Sequence, residues 1–238
     1  MIDFFINIFN IVLYQPLFNI LILIYQYFPG QDFGIAVIVL TLFIRLLLYP
    51  SSVQAIKSQK ALAELQPKIQ DIQRKYKENK ELMAKEVIEL YKKEKINPLA
   101  GFLPLLIQLP VLIALFLVFK SFENGLSPTE LQVLYPFISC PETLNPVFLG
   151  TINLASSSLF LAVLAGVAQF FQSKMLTPQS QQAFKKTNDF TQILQKQMTY
   201  FFPIFTIFIC WRLPAVIALY WLTTVLFSIV QQYIVLKK

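Results

Sequence analysis

The side chain with the most chemical potential in the least expected place is Arg45, in the stretch TLFIRLLLYP at residues 41–50. From Phe33 to Tyr49 the run carries one other ordinary polar residue, Thr41. A guanidinium stays charged at any biological pH, so it cannot escape burial by losing its proton. At the centre of a membrane helix an arginine costs about 2.5–3.5 kcal/mol on insertion scales. Pro50 follows Arg45 by five positions, about 7.5 Å of helix. The bland alternative is therefore a snorkelling side chain that reaches the nearer headgroups.

Other polar groups in apolar blocks shift that balance. Thr41 lies one turn from Arg45 on the same helical face. Gln108 falls in a second block, Gln169 and Gln172 in a third, and Thr223, Thr224, Ser228, Gln231 and Gln232 in the last. Single hydroxyls usually satisfy a carbonyl of their own helix. Glutamines in three separate blocks are harder to dismiss. The blocks offer no Asp or Glu to neutralise Arg45. The cheapest arrangement then keeps the charge hydrated in a polar recess, which attracts something negative from outside the chain.

Several chemistries are excluded or unsupported. There are no histidines, and Cys140 and Cys210 stand far apart without metal-ligand spacing. No GxxxxGK[ST] or GxGxxG stretch supports nucleotide binding. No catalytic residue, metal site or cofactor is expected, and the chain reads as a non-enzyme. An intramembrane enzyme would need a nucleophile or carboxylate pair within the spans. A small-solute transporter using Arg45 would show internal repeats and paired broken helices. Pro104, Pro110 and Pro203 are not symmetrically placed.

The elements that must position these groups are membrane helices. The chain of 238 residues is 56% hydrophobic and 14% charged, with mean hydropathy +0.58, whereas a soluble domain has about a quarter of its residues charged. Five apolar blocks, at roughly 33–50, 98–119, 154–173, 198–212 and 214–236, are candidates to cross a bilayer. Trp211-Arg212-Leu213-Pro214 leaves almost no loop between the last two, so they should form a tight helical hairpin. The fold expected is an all-α membrane protein with five transmembrane helices.

Basic residues orient it. Residues 51–97 hold eleven Lys/Arg, the loop at about 120–153 only Lys120, and the loop at about 174–197 Lys174, Lys185, Lys186 and Lys196. That alternation predicts an outside N-terminus and a cytoplasmic C-terminus. The +7 net charge is then a topology signal, and no DNA partner is implied. No signal or transit peptide is expected, because Arg45 is the first cation in the chain.

Two segments differ from the spans. Residues 4–28 are apolar but interrupted by Asn7, Asn10, Gln15, Pro16, Asn19 and Gln26. Gln15-Pro16 should break a spanning helix, so residues 1–30 read as an interfacial helix on the outer face, preferred over a sixth span. After the first span (31–50), residues 51–97 carry Leu62, Leu65, Ile69, Ile72 and Tyr76 at coiled-coil spacing, with Met83, Val87 and Leu90 as partner stripe. Glu64–Lys68, Asp71–Lys75, Glu81–Lys85 and Glu89–Lys93 add pairs four apart. This is a cytoplasmic antiparallel helical hairpin, bent or restarted at Pro67. The remaining core occupies 98–238.

The sequence resembles the YidC/Oxa1/Alb3 family of membrane protein insertases, most closely a compact bacterial member. The likeness rests on TLFIRLLLYP (41–50), LQPKIQDIQRKY (65–76), ELYKKEKINPLAGFLPLLIQLPVLIALFLVF (89–119), FLGTINLA (148–155) and LPAVIALYWLTTVLFSIVQQY (213–233). It implies a five-span core, an outer amphipathic helix, a cytoplasmic hairpin and a hydrophilic groove open to cytoplasm and lipid. Thr41 and Arg45 match groove positions of the first span, and Gln169 would be a groove residue of the third. Tyr220 and Trp221 match the aromatic pair of the fifth, along which substrate helices slide. With Gln108 and Thr223 these form the expected substrate-binding groove.

Implied partners are nascent membrane proteins and the lipid bilayer of a bacterial plasma membrane, with the Sec translocon and the ribosome as further candidates. Many members of that family carry a large extracytoplasmic domain before the core, and others a long basic tail. Here only Lys237-Lys238 follow the last span, so contact with the ribosome through a tail should be weak. The short fourth block, with Pro203 inside it, suggests a locally thinned membrane.

Overall fold

The computed structural model describes residues 2–27, 30–97, 103–123, 132–139, 145–175 and 197–237. Cys140, Lys185, Lys186, Lys196 and Lys238, named above, lie outside the described residues.

The chain opens with α1 (Ile2–Phe9), a π-helical turn (Asn10–Tyr14) and α2 (Gln15–Tyr27). The break expected at Gln15-Pro16 does not occur. The Gln15 N–H reaches back to the Asn10 carbonyl, so a wider turn leads into Pro16, which has no N–H to give, and the backbone stays helical. Phe18, Leu21, Ile22 and Tyr25 of α2 are buried in the main core. Three of the polar residues that interrupt this segment, Gln15, Asn19 and Gln26, have partners far along the chain. The Asn19 Nδ2 donates to the Val133 carbonyl (2.9 Å) and its Oδ1 accepts from the Tyr135 N–H (2.7 Å). Gln15 donates to the same Val133 carbonyl at 3.1 Å. Gln26 donates to the Ser139 carbonyl, and the Tyr25 hydroxyl accepts from the Asn145 N–H at 3.0 Å.

Helix α3 (Phe33–Leu47) starts on Asp32, whose Oδ1 accepts from the Ile35 N–H at 3.1 Å, satisfying one orphan donor of the first turn. Its other oxygen accepts from the Leu149 N–H at 2.7 Å. That bond steadies Leu149 at φ 48, in the left-handed region. Leu149 sits in the turn between β1 (Val147–Phe148) and β2 (Ile152–Asn153), an antiparallel pair that the sequence reading did not anticipate. A Cβ on Gly34 would come within 2.2 Å of the Phe148 ring, so the missing side chain lets this hairpin lie on α3.

After α3 the chain turns by 68° into α4 (Tyr49–Lys75). Pro50 withholds a helix donor there, and the Ser52 hydroxyl donates to the Leu48 carbonyl at 2.8 Å. Helix α4 runs through Pro67 as one element, and α5 (Lys80–Lys93) follows, started by the Asn79 side chain accepting from the Leu82 N–H. Leu65 and Ile69 are buried; α5 buries no residue. Among the described residues the ion pair is Lys68–Glu94, at 2.5 Å. Lys68 thus reaches the other arm, and the Glu64–Lys68 pair expected along one helix is not the one formed. Such exposed pairs differ by so little that the geometry of the two arms decides.

Helices α6 (Leu103–Glu123), α7 (Leu159–Met175), a π-helical turn (Gln197–Phe201), α8 (Phe202–Arg212) and α9 (Ala215–Lys237) complete the bundle. Helix α7 starts at residue 159, not at 154, because residues 152–156 belong to the β-hairpin and its exit. There the carbonyls of Leu154 and Ser156 accept from the N–H groups of Val216 and Ala215 (3.1 and 2.8 Å), covering the bare start of α9. The link between α8 and α9 is as short as expected, but the two do not pack chiefly on each other. Each lies mainly against α7. Gly166 permits the close approach of α8: a Cβ there would lie 2.2 Å from Ile207 and 2.9 Å from the Pro203 carbonyl.

By length and apolarity, Asp3–Tyr27 and Ala215–Lys237 could each cross a membrane, and α3 with α4 could form a third, broken span. Gln108–Ser121, Leu159–Met175 and Thr199–Arg212 are shorter apolar helices. Leu46, Leu47, Phe160 and Ile204 are all more than 60% exposed. Outward-facing apolar side chains this exposed on α3, α7 and α8 suit a lipid solvent.

Candidate functional site

Arg45 continues a buried stripe. Phe33, Ala36, Val37, Leu40 and Thr41 are buried on α3, at the three-and-four spacing of one helical face, and Ile44 and Arg45 extend that face half-buried. Leu42, Phe43, Leu46 and Leu47 face outward. Arg45 therefore points into the bundle, which argues against a side chain that merely snorkels along the lipid surface. Its position in the last turn of α3 also places a cation against the negative end of the helix dipole.

The Arg45 Nη2 donates to the Gln108 Oε1 at 3.1 Å, and the Gln108 Nε2 donates to the Tyr220 hydroxyl. Three helices, α3, α6 and α9, thus meet in one polar chain. Gln108 is half-buried and Tyr220 is 2% exposed. Among the described residues Arg45 forms no ion pair. A guanidinium has five N–H donors, and a neutral carboxamide leaves its charge uncompensated.

Trp221, next to Tyr220, belongs to a second cluster. Its Nε1 donates to the Gln169 Oε1 at 2.6 Å, and the Thr206 hydroxyl donates to the same oxygen at 3.0 Å. This cluster ties α7, α8 and α9. Adjacent residues on α9 therefore serve two polar groups, one containing Arg45 and one containing Gln169. Two of the expected site residues act locally. The Thr41 hydroxyl donates to the Val37 carbonyl at 2.6 Å, and the Thr223 hydroxyl to the Leu219 carbonyl at 2.8 Å. Both are intrahelical bonds of the kind expected for lone hydroxyls.

Nearer the α4 junction, the Gln231 Nε2 donates to the Ser52 hydroxyl at 3.1 Å and to the Tyr49 carbonyl at 3.4 Å. The Gln232 Oε1 is buried without a protein partner among the described residues, a setting suited to water. Thr206 and Ser52 were not singled out from sequence. Thr206 had a signal, as the one hydroxyl in FPIFTIFICWR at 202–212. Ser52 had none, since its role depends on the bend. Among the described residues no group of His, Cys, Asp and Glu could hold a metal ion.

Residues 23–238 match the 60Kd inner membrane protein family. The chain is 36% identical over 207 residues to the membrane protein insertase YidC of Fusobacterium nucleatum, covering 87% of each chain. It is 35% identical to the YidC of Clostridium tetani, over 82% of this chain and 77% of that one. With the YidC of Shewanella loihica it shares 35% identity over 90% of this chain but 35% of the relative. The matched span includes every helix that carries the Arg45 and Gln169 clusters, and the chain belongs to the 60Kd inner membrane protein family, that of the YidC/Oxa1 insertases.

Proposed function

We infer that this protein is a membrane protein insertase of the bacterial inner membrane, working without covalent chemistry on nascent membrane proteins. The fuller reading has five spans, an outside N-terminus and a cytoplasmic C-terminus, with the basic α4–α5 hairpin on the cytoplasmic side. A nascent hydrophobic segment first meets that hairpin. Its short polar flank then occupies the inner-leaflet groove lined by Arg45, Gln108 and Tyr220, with Gln169 and Trp221 across α9. Thr41 and Thr223 shape the walls through their backbone bonds. The segment leaves sideways into lipid, driven by burial of its apolar surface.

The observation that carries this reading is a bundle-facing guanidinium bonded to a neutral glutamine, with no carboxylate paired to it among the described residues. An acidic flank at 4 Å gains about 4 kcal/mol of gross Coulomb energy at an effective dielectric near 20. That is comparable to the roughly 2.5–3.5 kcal/mol that a charged residue costs at mid-membrane. The groove thus offsets the cost of moving the flank, and the lipid supplies the exit.

Site-specific photocrosslinking tests it. A crosslinker replacing Gln108 or Trp221 should capture a ribosome-bound nascent membrane segment. One at outward-facing Phe160 or Ile204, both at least 65% exposed, should capture far less. Equal capture at all four positions would remove the groove from the mechanism.

A further inference from the structure

The joint between α3 and α4 is fastened from the far end of the chain. Leu48 closes α3 and opens α4, at φ -86 and ψ 5, and Pro50 just beyond it has no N–H for the helical ladder. Such a joint is a natural hinge. We propose that Gln231 is the positioning residue of this hinge, holding the base of α4 against α9. It thereby sets the direction in which the α4–α5 hairpin leaves the bundle. The geometric claim is independent of insertion; its effect on insertion rests on the function proposed above, in which the hairpin meets the segment first.

Gln231 is 2% exposed. Its Nε2 donates to the Ser52 hydroxyl oxygen at 3.1 Å, with the Tyr49 carbonyl at 3.4 Å. A carbonyl only accepts, so this pairing needs the amide nitrogen, and a side chain without an N–H cannot replace it. A hydroxyl has a single proton. With its oxygen accepting from Gln231, Ser52 gives that proton to the Leu48 carbonyl at 2.8 Å, the nearer of two carbonyls within reach. The Ser52 N–H reaches the same carbonyl at 3.0 Å. A directed chain of bonds thus runs from α9, through the first turn of α4, to the hinge residue itself. Ala55 and Ile56, on the next turn of α4, are buried, and α4 rests on α9 more than on α3. The last helix carries the base of the hairpin.

The same helix also reaches Arg45. Tyr220 precedes Gln231 by eleven positions, about three turns, which puts both on one face. Tyr220 joins Arg45 through Gln108, and Arg45 lies three positions before Leu48. Helix α9 therefore grips the last turn of α3 through the guanidinium and the first turn of α4 through Ser52. Hairpin and charged groove are registered to one helix, so a segment met by the hairpin is delivered in line with Arg45.

Spin-label distances test this in nanodiscs, on the full chain with Cys140 and Cys210 replaced by alanine. Labels at Lys85 on α5 and Ile204 on α8 read the hairpin against the core, and labels at Lys60 and Lys92 read arm against arm; all four positions are exposed. Gln231→Met keeps the bulk and removes the donor. It should raise the population away from the wild-type core distance about fivefold, the weight of one net hydrogen bond, and leave the arm-to-arm distance unchanged. Ser52→Ala should do the same, and Ser52→Thr, which keeps the hydroxyl, should hold the wild-type distance. The double variant should add nothing to either single one, because both remove one interaction. Gln232→Met is the matched control: its Oε1 is also buried but has no protein partner among the described residues, so the distances should stay. Unchanged core distances in Gln231→Met and Ser52→Ala, additive effects, or an equal response to Gln232→Met would overturn the proposal. In an insertion assay Gln231→Met should slow uptake whatever charge the translocated tail carries. Altered distances with wild-type insertion would overturn the link to delivery. Failure of the wild-type chain to insert any substrate would instead fault the insertase reading, with the hinge distances unaffected.

Discussion

At the Asp32 end of the bundle, four side chains of α2 and the carboxylate of Asp32 bind backbone groups more than a hundred residues away. At the other end, α5 buries no residue, and Lys68–Glu94 is the ion pair among the described residues that joins its arm to α4. The first region is held by directional hydrogen bonds to backbone groups, several of them part-buried. The second is held by a thin apolar seam and an exposed charge pair. A protein that takes up unrelated segments needs a surface that adjusts at its entrance and a frame that does not. The Arg45 and Gln169 clusters sit between these regions, anchored to the rigid side through α3 and α9.

Breaking the rigid region should have the largest effect. Asn19→Leu leaves the Tyr135 N–H without its acceptor in a buried setting, where an unsatisfied group costs about 1–3 kcal/mol. Thermal unfolding in detergent should fall by several degrees, and protease should cut residues 132–139 faster. Unchanged values would mean that the loop is held by other contacts.

Breaking the hairpin seam should cost function more than stability. Leu65 and Ile69 are buried, and Ile72 is half-buried beside them. Leu65→Asp with Ile72→Asp should splay the arms, widen the distance between spin labels on α4 and α5, and slow insertion. Wider arms with unaltered insertion would make the hairpin a passive spacer.

The smallest effect belongs to the exposed pair. The Lys68 ammonium, by hydrogen bond and charge, holds the Glu94 carboxyl below its ordinary value of 4.5. Any help it gives to closing the arms is present in full above ~4.5. It is lost only as the pH falls through the lowered value. Lys68→Ala should therefore shift the label distance slightly at pH 7, and the difference should vanish once acid has protonated Glu94. A large change at neutral pH would give this pair a weight that exposed bridges rarely have.

How much of this was legible depends on the range of each signal. Arg45 was legible because a 3.6-residue period marks the inner face of α3 without reference to any other helix. The local fate of Thr41 and Thr223 followed from the rule for lone hydroxyls. The division between Tyr220 and Trp221 was not legible, since their partners Gln108 and Gln169 lie on α6 and α7. Nor was the path of the chain through Pro16, because a π-helical turn leaves no composition signal. Asn19 and Gln26 read as interruptions of a span, and their loop partners lie more than a hundred residues away. Gly34 and Gly166 were silent for the same reason: what each makes room for belongs to another element.

The central claim is that Arg45 acts through its charge on the flank of an incoming segment. The direct measurement is an insertion assay on one substrate whose translocated tail carries Asp, Asn or Lys at the same position, with wild type, Arg45→Lys, Arg45→Ala and Arg45→Glu. Arg45→Lys should retain much of the activity, since field and hydration persist without the planar fork. Arg45→Ala should impair the Asp tail more than the Asn tail, and Arg45→Glu should be worst for Asp because attraction becomes repulsion. Equal losses on all three tails in Arg45→Ala would contradict the account and leave Arg45 as a structural partner of Gln108.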